Sequence, residues 1–159
     1  MNIEILCVGK LKESYLKDAV SEYAKRLSKY CRLSITEVAD EKTVDKQGVA
    51  SDKIVKDKEG DRLMRLIRDD AFVITLEITG KMMDSVAFSQ TIEDLAVRSI
   101  PDIQFVIGGS LGLADAISER SDLKLSFSKM TFPHQLMRVI LLEQIYRAFR
   151  IINHEPYHK

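Results

Sequence analysis

His134 and Arg138 stand one helical turn apart at the start of the longest helical pattern in the chain. At about 100° per residue, Met137, Ile140, Leu141, Ile145, Ala148, Phe149 and Ile152 make one apolar stripe, and both polar residues fall inside its N-terminal end. An arginine on an apolar face is costly unless it is paired or bound to an anion. Arg138 is therefore expected to point into a site or across a subunit interface. His134, near the positive end of the helix dipole, is expected to hold its proton weakly and to stand neutral, as a general base must. A buried, hydrogen-bonded core histidine is the plainer alternative. Glu143 and Arg147, spaced i, i+4 in the favourable order, predict a helix-surface ion pair. His154 and His158 have no further Cys or carboxylate at ligand spacing, so no metal site is expected.

A second constellation is the segment Phe105-Val-Ile-Gly-Gly-Ser-Leu-Gly112. Glycines at the carboxyl end of a strand let backbone approach a ligand and expose N–H groups. The segment is not GxGxxG, and a dinucleotide fold carries that fingerprint after its first strand. It is not a phosphate loop, because no Gly-Lys-Ser/Thr follows. A plain tight turn is the alternative reading. Downstream, Leu125-Ser-Phe-Ser-Lys-Met-Thr-Phe132 runs into Pro133. Small hydroxyls, a methionine and aromatics before a helix suit a flat, partly apolar ring recognised through backbone groups. The same stretch also reads as an ordinary strand-to-helix connection.

The elements that must position these residues alternate along the chain, which predicts an α/β fold with a mainly parallel sheet flanked by helices. Ile3 to Val8, Leu33 to Val38, Ala71 to Ile78, Ile103 to Ile107 and Leu123 to Phe127 read as strands. Thr79-Gly80-Lys81 is expected to close the third. Helical spacing runs through Tyr15 to Leu27, from about Ser51 to Arg68, and through Phe88, Ile92 and Leu95 behind an Asp84 or Ser85 cap. A short helix precedes the last strand, and the final helix is expected to start at Pro133 and end near Ile152. Ala39 to Ala50, polar and containing Gly48, reads as a loop or flexible insertion.

With 159 residues, the chain is expected to form one domain. No apolar run reaches the length of a membrane span, and the start lacks a basic n-region and a cleavage site. Cys7 and Cys31 form no CxxC pair, which suits a reducing, cytoplasmic setting. Net charge is zero, yet residues 129–159 carry +3 and the first 128 carry −3. That asymmetry fits a C-terminal end that faces an anion, or chance placement of a few charges.

Taken together, Val8-Gly-Lys10, Asp57-Lys-Glu-Gly60, Thr75-Leu-Glu-Ile-Thr-Gly-Lys81, Phe105 to Leu113, Leu125 to Phe149 and the ending Pro156-Tyr-His-Lys159 resemble one family over nearly the whole chain. It is the bacterial RlmH-type 23S ribosomal RNA (pseudouridine-N3)-methyltransferases of the SPOUT superfamily. The resemblance implies a single domain over 1–159 whose C-terminal segment threads a trefoil knot, with the cofactor-binding knot region at about 72–159. It implies a homodimer that binds S-adenosyl-L-methionine through Leu76, Gly108 and the loop Phe127, Ser128, Lys129, Met130, Thr131 and Phe132. It also implies a target pseudouridine on the ribosome. His134, Arg138 and His158 are the expected catalytic groups, with His134 or His158 as base and Arg138 or Arg147 stabilising the anionic ring. Arg147, Tyr157 and Lys159 are expected to meet the RNA by ion pairing and stacking. A non-enzymatic ribosome-binding factor on the same fold is the competing function. A nucleotide hydrolase is disfavoured by the missing phosphate-loop lysine.

Overall fold

A computed structural model describes residues 1–42 and 49–159. Among the described residues five strands alternate with five helices: β1 (Asn2–Val8), α1 (Ser14–Leu27), β2 (Arg32–Val38), α2 (Val49–Met64), β3 (Phe72–Met82), α3 (Ser85–Val97), β4 (Asp102–Ile107), α4 (Asp115–Arg120), β5 (Leu123–Ser126) and α5 (His134–Ile152). All pairings are parallel, in the order β2-β1-β4-β3-β5. A parallel sheet must be covered on both faces, and the side-chain alternation of the strands does this. Ile3, Ile5 and Cys7 of β1, with Ile103, Phe105 and Ile107 of β4, face a core built with α1, α3 and α5. Leu6, Val8, Val73 and Val106 point the other way, onto Leu63 of α2 and Ala114 and Ile117 beside and within α4.

Several boundaries differ from the sequence reading. α2 ends at Met64, four residues before Arg68. Half of the expected loop at Ala39 to Ala50, residues 43–48, lies outside the described residues, and its last two residues already belong to α2. Pro133 is the N-cap of α5, with an extended ψ of 129°, and His134 opens the helix. Along α5 the buried positions are Arg138, Leu141, Leu142, Ile145, Ala148 and Phe149, so Leu142 joins the core while Ile140 sits at its margin. Asp84 caps α3 by accepting from the Ala87 N–H at 2.7 Å.

The largest departure is in β3. Thr79-Gly80-Lys81 does not end the strand. Leu76 pairs with Leu125, the chain bulges over Glu77 to Gly80, and Lys81 pairs with Leu125 again before Met82 meets Ser126. Such bulges re-aim side chains and recur beside functional sites. Gly80 permits this one, since a Cβ there would lie 2.7 Å from the Lys124 carbonyl oxygen.

The end of the chain folds back on the start of the sheet. α5 packs on α1 and α3, and near its first turn the Arg138 guanidinium is wholly buried. It donates to Glu37 Oε1 at 2.8 Å and to the carbonyls of Val8 at 3.0 Å and Gly9 at 2.6 Å. Removing one member of a buried ion pair costs about 3–5 kcal/mol, because the groups left behind are buried without their partner. Arg138→Met should therefore lower the unfolding free energy by about 3 kcal/mol in urea titrations. Glu37→Gln, at a position that retains partial water access, should cost less. Equal effects from the two changes would contradict the buried, multiply bonded arginine.

Candidate functional site

A cavity of about 470 Å³ opens at the carboxyl edge of the sheet, the edge where open parallel α/β sheets bind ligands. Three walls form it. The β3 bulge contributes Leu76, Glu77 and Ile78, and the turn after β4 contributes Ile107 to Ser110 and Gly112. The loop between β5 and α5 and the first turn of α5 supply Phe127, Ser128, Met130 to His134, and Met137. Its volume lies within the range of small-molecule and cofactor sites. The lining is mostly apolar, and among the described residues Glu77 and His134 are the two ionisable side chains in it.

The Gly108 turn is a tight turn and a cavity wall at once. A Cβ on Gly108 would meet the Gly112 backbone at 2.7 Å, and Gly109 and Gly112 form an isolated bridge across the turn. The constraint at 108 is thus the turn's own closure, which in turn lays bare backbone along the cavity. Behind it sits Glu59 of the Asp57-Lys-Glu-Gly60 segment, buried, with its carboxyl pushed up from the usual range chiefly by that burial. It accepts from the Glu41 N–H at 3.1 Å and faces Gly109, where a Cβ would approach it to 3.1 Å.

His134 lies at the other rim, with its Nε2 near Gly9 and Asp40 beyond the ends of β1 and β2. Burial is the first cause that lowers its affinity for a proton, and the neighbouring Arg138 cation is the second. Asp40 opposes the shift and Lys12 adds to it. Arg138 itself is spent on Glu37 and two carbonyls and does not line the cavity. Its influence on the site passes through His134, which it polarises, and through α5, which it anchors.

The tail is ordered against α5 rather than loose. Tyr157 packs edge-on against Tyr146 with centroids 5.0 Å apart, donates to Glu143 at 3.2 Å, and lies under the Arg147 guanidinium at 4.7 Å. Arg147 and Glu143 form the ion pair their spacing predicts, at 2.6 Å. His158 Nδ1 stands 3.4 Å from Arg147. It lines a second cavity of about 390 Å³ with Ser85, Gln144 and the far side of Phe127. His134 and His158 therefore occupy different cavities within one chain. Arg150 is paired with Glu155 and Arg138 with Glu37 outside the last stretch, so the positive excess of that stretch rests on Lys129 and Lys159. Lys129 and Lys159 are exposed, and Lys129 is absent from the cavity wall.

Of the residues expected at the cofactor, Leu76, Gly108, Phe127, Ser128, Met130, Thr131 and Phe132 converge on the first cavity. Glu77, Pro133 and Met137 also line it and are not among the residues expected there from the sequence. For Glu77 a signal existed: an acid interrupting an otherwise apolar strand demands a partner or a purpose. Among the described residues, no group of three or more His, Cys, Asp or Glu is placed to hold a metal ion.

A parallel α/β domain with one apolar, nucleoside-sized cavity at its carboxyl edge, and no phosphate loop, defines a cofactor-binding class. The comparisons specify it. The family model described as "Predicted SPOUT methyltransferase" matches residues 1–158, and the chain belongs to that family. It is 58% identical over 159 residues to the ribosomal RNA large subunit methyltransferase H of Clostridium acetobutylicum, covering all of both chains. The protein of the same name from Clostridium botulinum (strain Eklund 17B) is likewise 58% identical over 159 residues, with full coverage of both. Among solved structures, a probable methyltransferase from Bordetella pertussis Tohama I aligns with a TM-score of 0.53 at 11% identity, over 92% of this chain and 95% of that one. That likeness extends to the fold alone.

The environment of His134 gives a measurable outcome. Its folded-state proton affinity is depressed below the ordinary value of 6.5, so as pH falls through that value the unfolded chain takes up the proton first. Stability should then decline with falling pH between the ordinary value and the folded one. His134→Gln should flatten that slope, and an NMR titration should place the wild-type imidazole below 6.5. A midpoint above it would show that Asp40 outweighs burial and Arg138.

Proposed function

We propose that this protein is an S-adenosylmethionine-dependent methyltransferase that methylates N3 of a pseudouridine in large-subunit ribosomal RNA, on assembled ribosomes in the cytoplasm. The observation that carries the reading is a weakly basic histidine at the rim of a nucleoside-sized cavity, in a chain 58% identical end to end to proteins called ribosomal RNA large subunit methyltransferase H. The donor set suits the cofactor. The Phe127 to Phe132 loop offers an apolar slot for a purine, and the Gly108 turn brings backbone close.

When bound, the cofactor supplies a methyl group already activated on a sulfonium, so the protein's work is alignment and proton removal. The pseudouridine N3–H is weakly acidic. A neutral His134, which lines the cavity and has its Nε2 near Gly9, can accept that proton. Arg138 is assigned as a positioning residue that keeps the imidazole neutral and α5 in place. His158, Arg147, Tyr157 and Lys159 form the outer, RNA-facing group, offering a ring to stack on and cations for phosphate. We further propose that the family's C-terminal knot and homodimer apply here. Exposed Ile78, Met82, Val86, Met130 and Phe132 around the two cavities supply an apolar face for a second copy.

Ribosomes from cells lacking this gene, incubated with the protein and radiolabelled S-adenosylmethionine, should gain one methyl group on a large-subunit pseudouridine, located by nuclease digestion and mass spectrometry. His134→Ala should slow transfer by at least about a hundredfold, the usual scale for a positioned base. Deleting Pro156 to Lys159 should do the same while leaving cofactor affinity unchanged. Ribosome binding without any methyl transfer would instead mark a non-enzymatic binding factor.

A further inference from the structure

The β3 bulge places a carboxylate in the cavity wall for which no role has been assigned. We propose that Glu77 accepts the paired ribose hydroxyls of the cofactor, an inference that rests on the cofactor reading given above. The Glu77 side chain is held rigidly from behind. The buried Thr75 hydroxyl donates to its Oε1 at 2.6 Å, and Ser118 of α4 donates to its Oε2 at 3.0 Å. A carboxylate carries about four lone-pair sites, so each oxygen keeps capacity for one more donor, side by side in the geometry that favours bidentate partners. Among the described residues no cationic side chain lines the cavity. Thr75 and Ser118 each satisfy one oxygen once, and a ligand that brings two adjacent donors can complete the set.

The order of the strands indicates which donors. The loop suited to the purine follows β5, and the proton-accepting His134 reaches toward the end of β1. Between them lie the ends of β3 and β4, since the sheet runs β1-β4-β3-β5. Glu77 is two strands from β1, roughly 10 Å at the usual strand spacing. A nucleoside cofactor with its base at one end and its reacting methyl at the other must lay its sugar across that middle ground. The 2′ and 3′ hydroxyls are adjacent donors that match two parallel carboxylate oxygens. The purine offers one amino donor among ring nitrogens that a carboxylate repels, and the amino-acid carboxylate of the cofactor would be repelled outright.

The test uses calorimetry on the intact protein with three probes: S-adenosylmethionine, 5′-methylthioadenosine, which lacks the amino-acid arm, and the 2′,3′-dideoxy form of that thioether. Wild-type protein should bind the dideoxy probe at least about tenfold more weakly than 5′-methylthioadenosine, the scale of losing hydrogen bonds to a charged group. Glu77→Gln should weaken S-adenosylmethionine and 5′-methylthioadenosine by a similar factor and should nearly erase the dideoxy penalty, as coupled partners require. The wild-type comparison needs no variant, so it decides the matter even if Glu77→Gln folds poorly. No dideoxy penalty in wild type overturns the proposal, as does a Glu77→Gln loss confined to S-adenosylmethionine, which would assign the acid to the α-ammonium. Failure of wild type to bind S-adenosylmethionine at all would bring down the cofactor reading itself.

Discussion

The site depends on one buried cation. Arg138 cannot sit in the core without compensation, and the chain supplies it from three places far away in sequence: Glu37 at the end of β2, and the carbonyls of Val8 and Gly9 as β1 runs out. The bonds tie the first turn of α5 to the carboxyl edge of the sheet. That turn is also where His134 stands and where the loop lining the cavity ends. A helix held only by its apolar stripe could slide or tilt by a fraction of a turn at little cost. One held by a fork of directional, charge-assisted bonds cannot. The cavity's third wall is therefore fixed by an ion pair outside the cavity, and the same cation helps keep the adjacent imidazole neutral.

The remaining walls follow from how parallel strands end. β4 finishes in a turn that only glycine at 108 allows to close, and β3 finishes in a bulge that only glycine at 80 allows to pass β5. Both departures from regular pairing occur on the same edge, and both turn backbone or polar side chains toward one space. An apolar enclosure with a rigid acid on one side and a neutral imidazole on the other suits a nucleoside cofactor and a proton to be removed. Pairing of Arg147 with Glu143 and of Arg150 with Glu155 leaves Lys129 and Lys159 as the exposed cations of the last stretch.

Much of this was legible in the residues. The apolar runs of β1 and β4 and the alternation of elements gave the parallel sheet, and the Glu143–Arg147 spacing gave its ion pair. The polar intrusions at His134 and Arg138 fall at the end of α5 that begins beside the cavity. What Arg138 touches was not legible, because its partners lie about a hundred or more residues away and nothing local names them. The bulge in β3 was hidden for a related reason. Thr79-Gly80-Lys81 reads as a stop signal, and only pairing with Leu125 on both sides reveals that the strand resumes. Nothing local in the sequence shows that Tyr157 packs on Tyr146, a contact that belongs to tertiary structure. The family resemblance added what periodicity cannot, the set of loop residues that converge on the cavity.

We propose that the cavity beneath the first turn of α5 is where the cofactor binds. Amide hydrogen exchange of the intact protein, measured with and without saturating S-adenosylmethionine, tests it without any mutation. Added protection should concentrate at Leu76 to Ile78, at the Gly108 to Gly112 turn and along Phe127 to His134, with little change in α1 or α2. Protection centred instead on Ser85, Val86 and Gln144 around the second cavity, or none anywhere, would contradict the account.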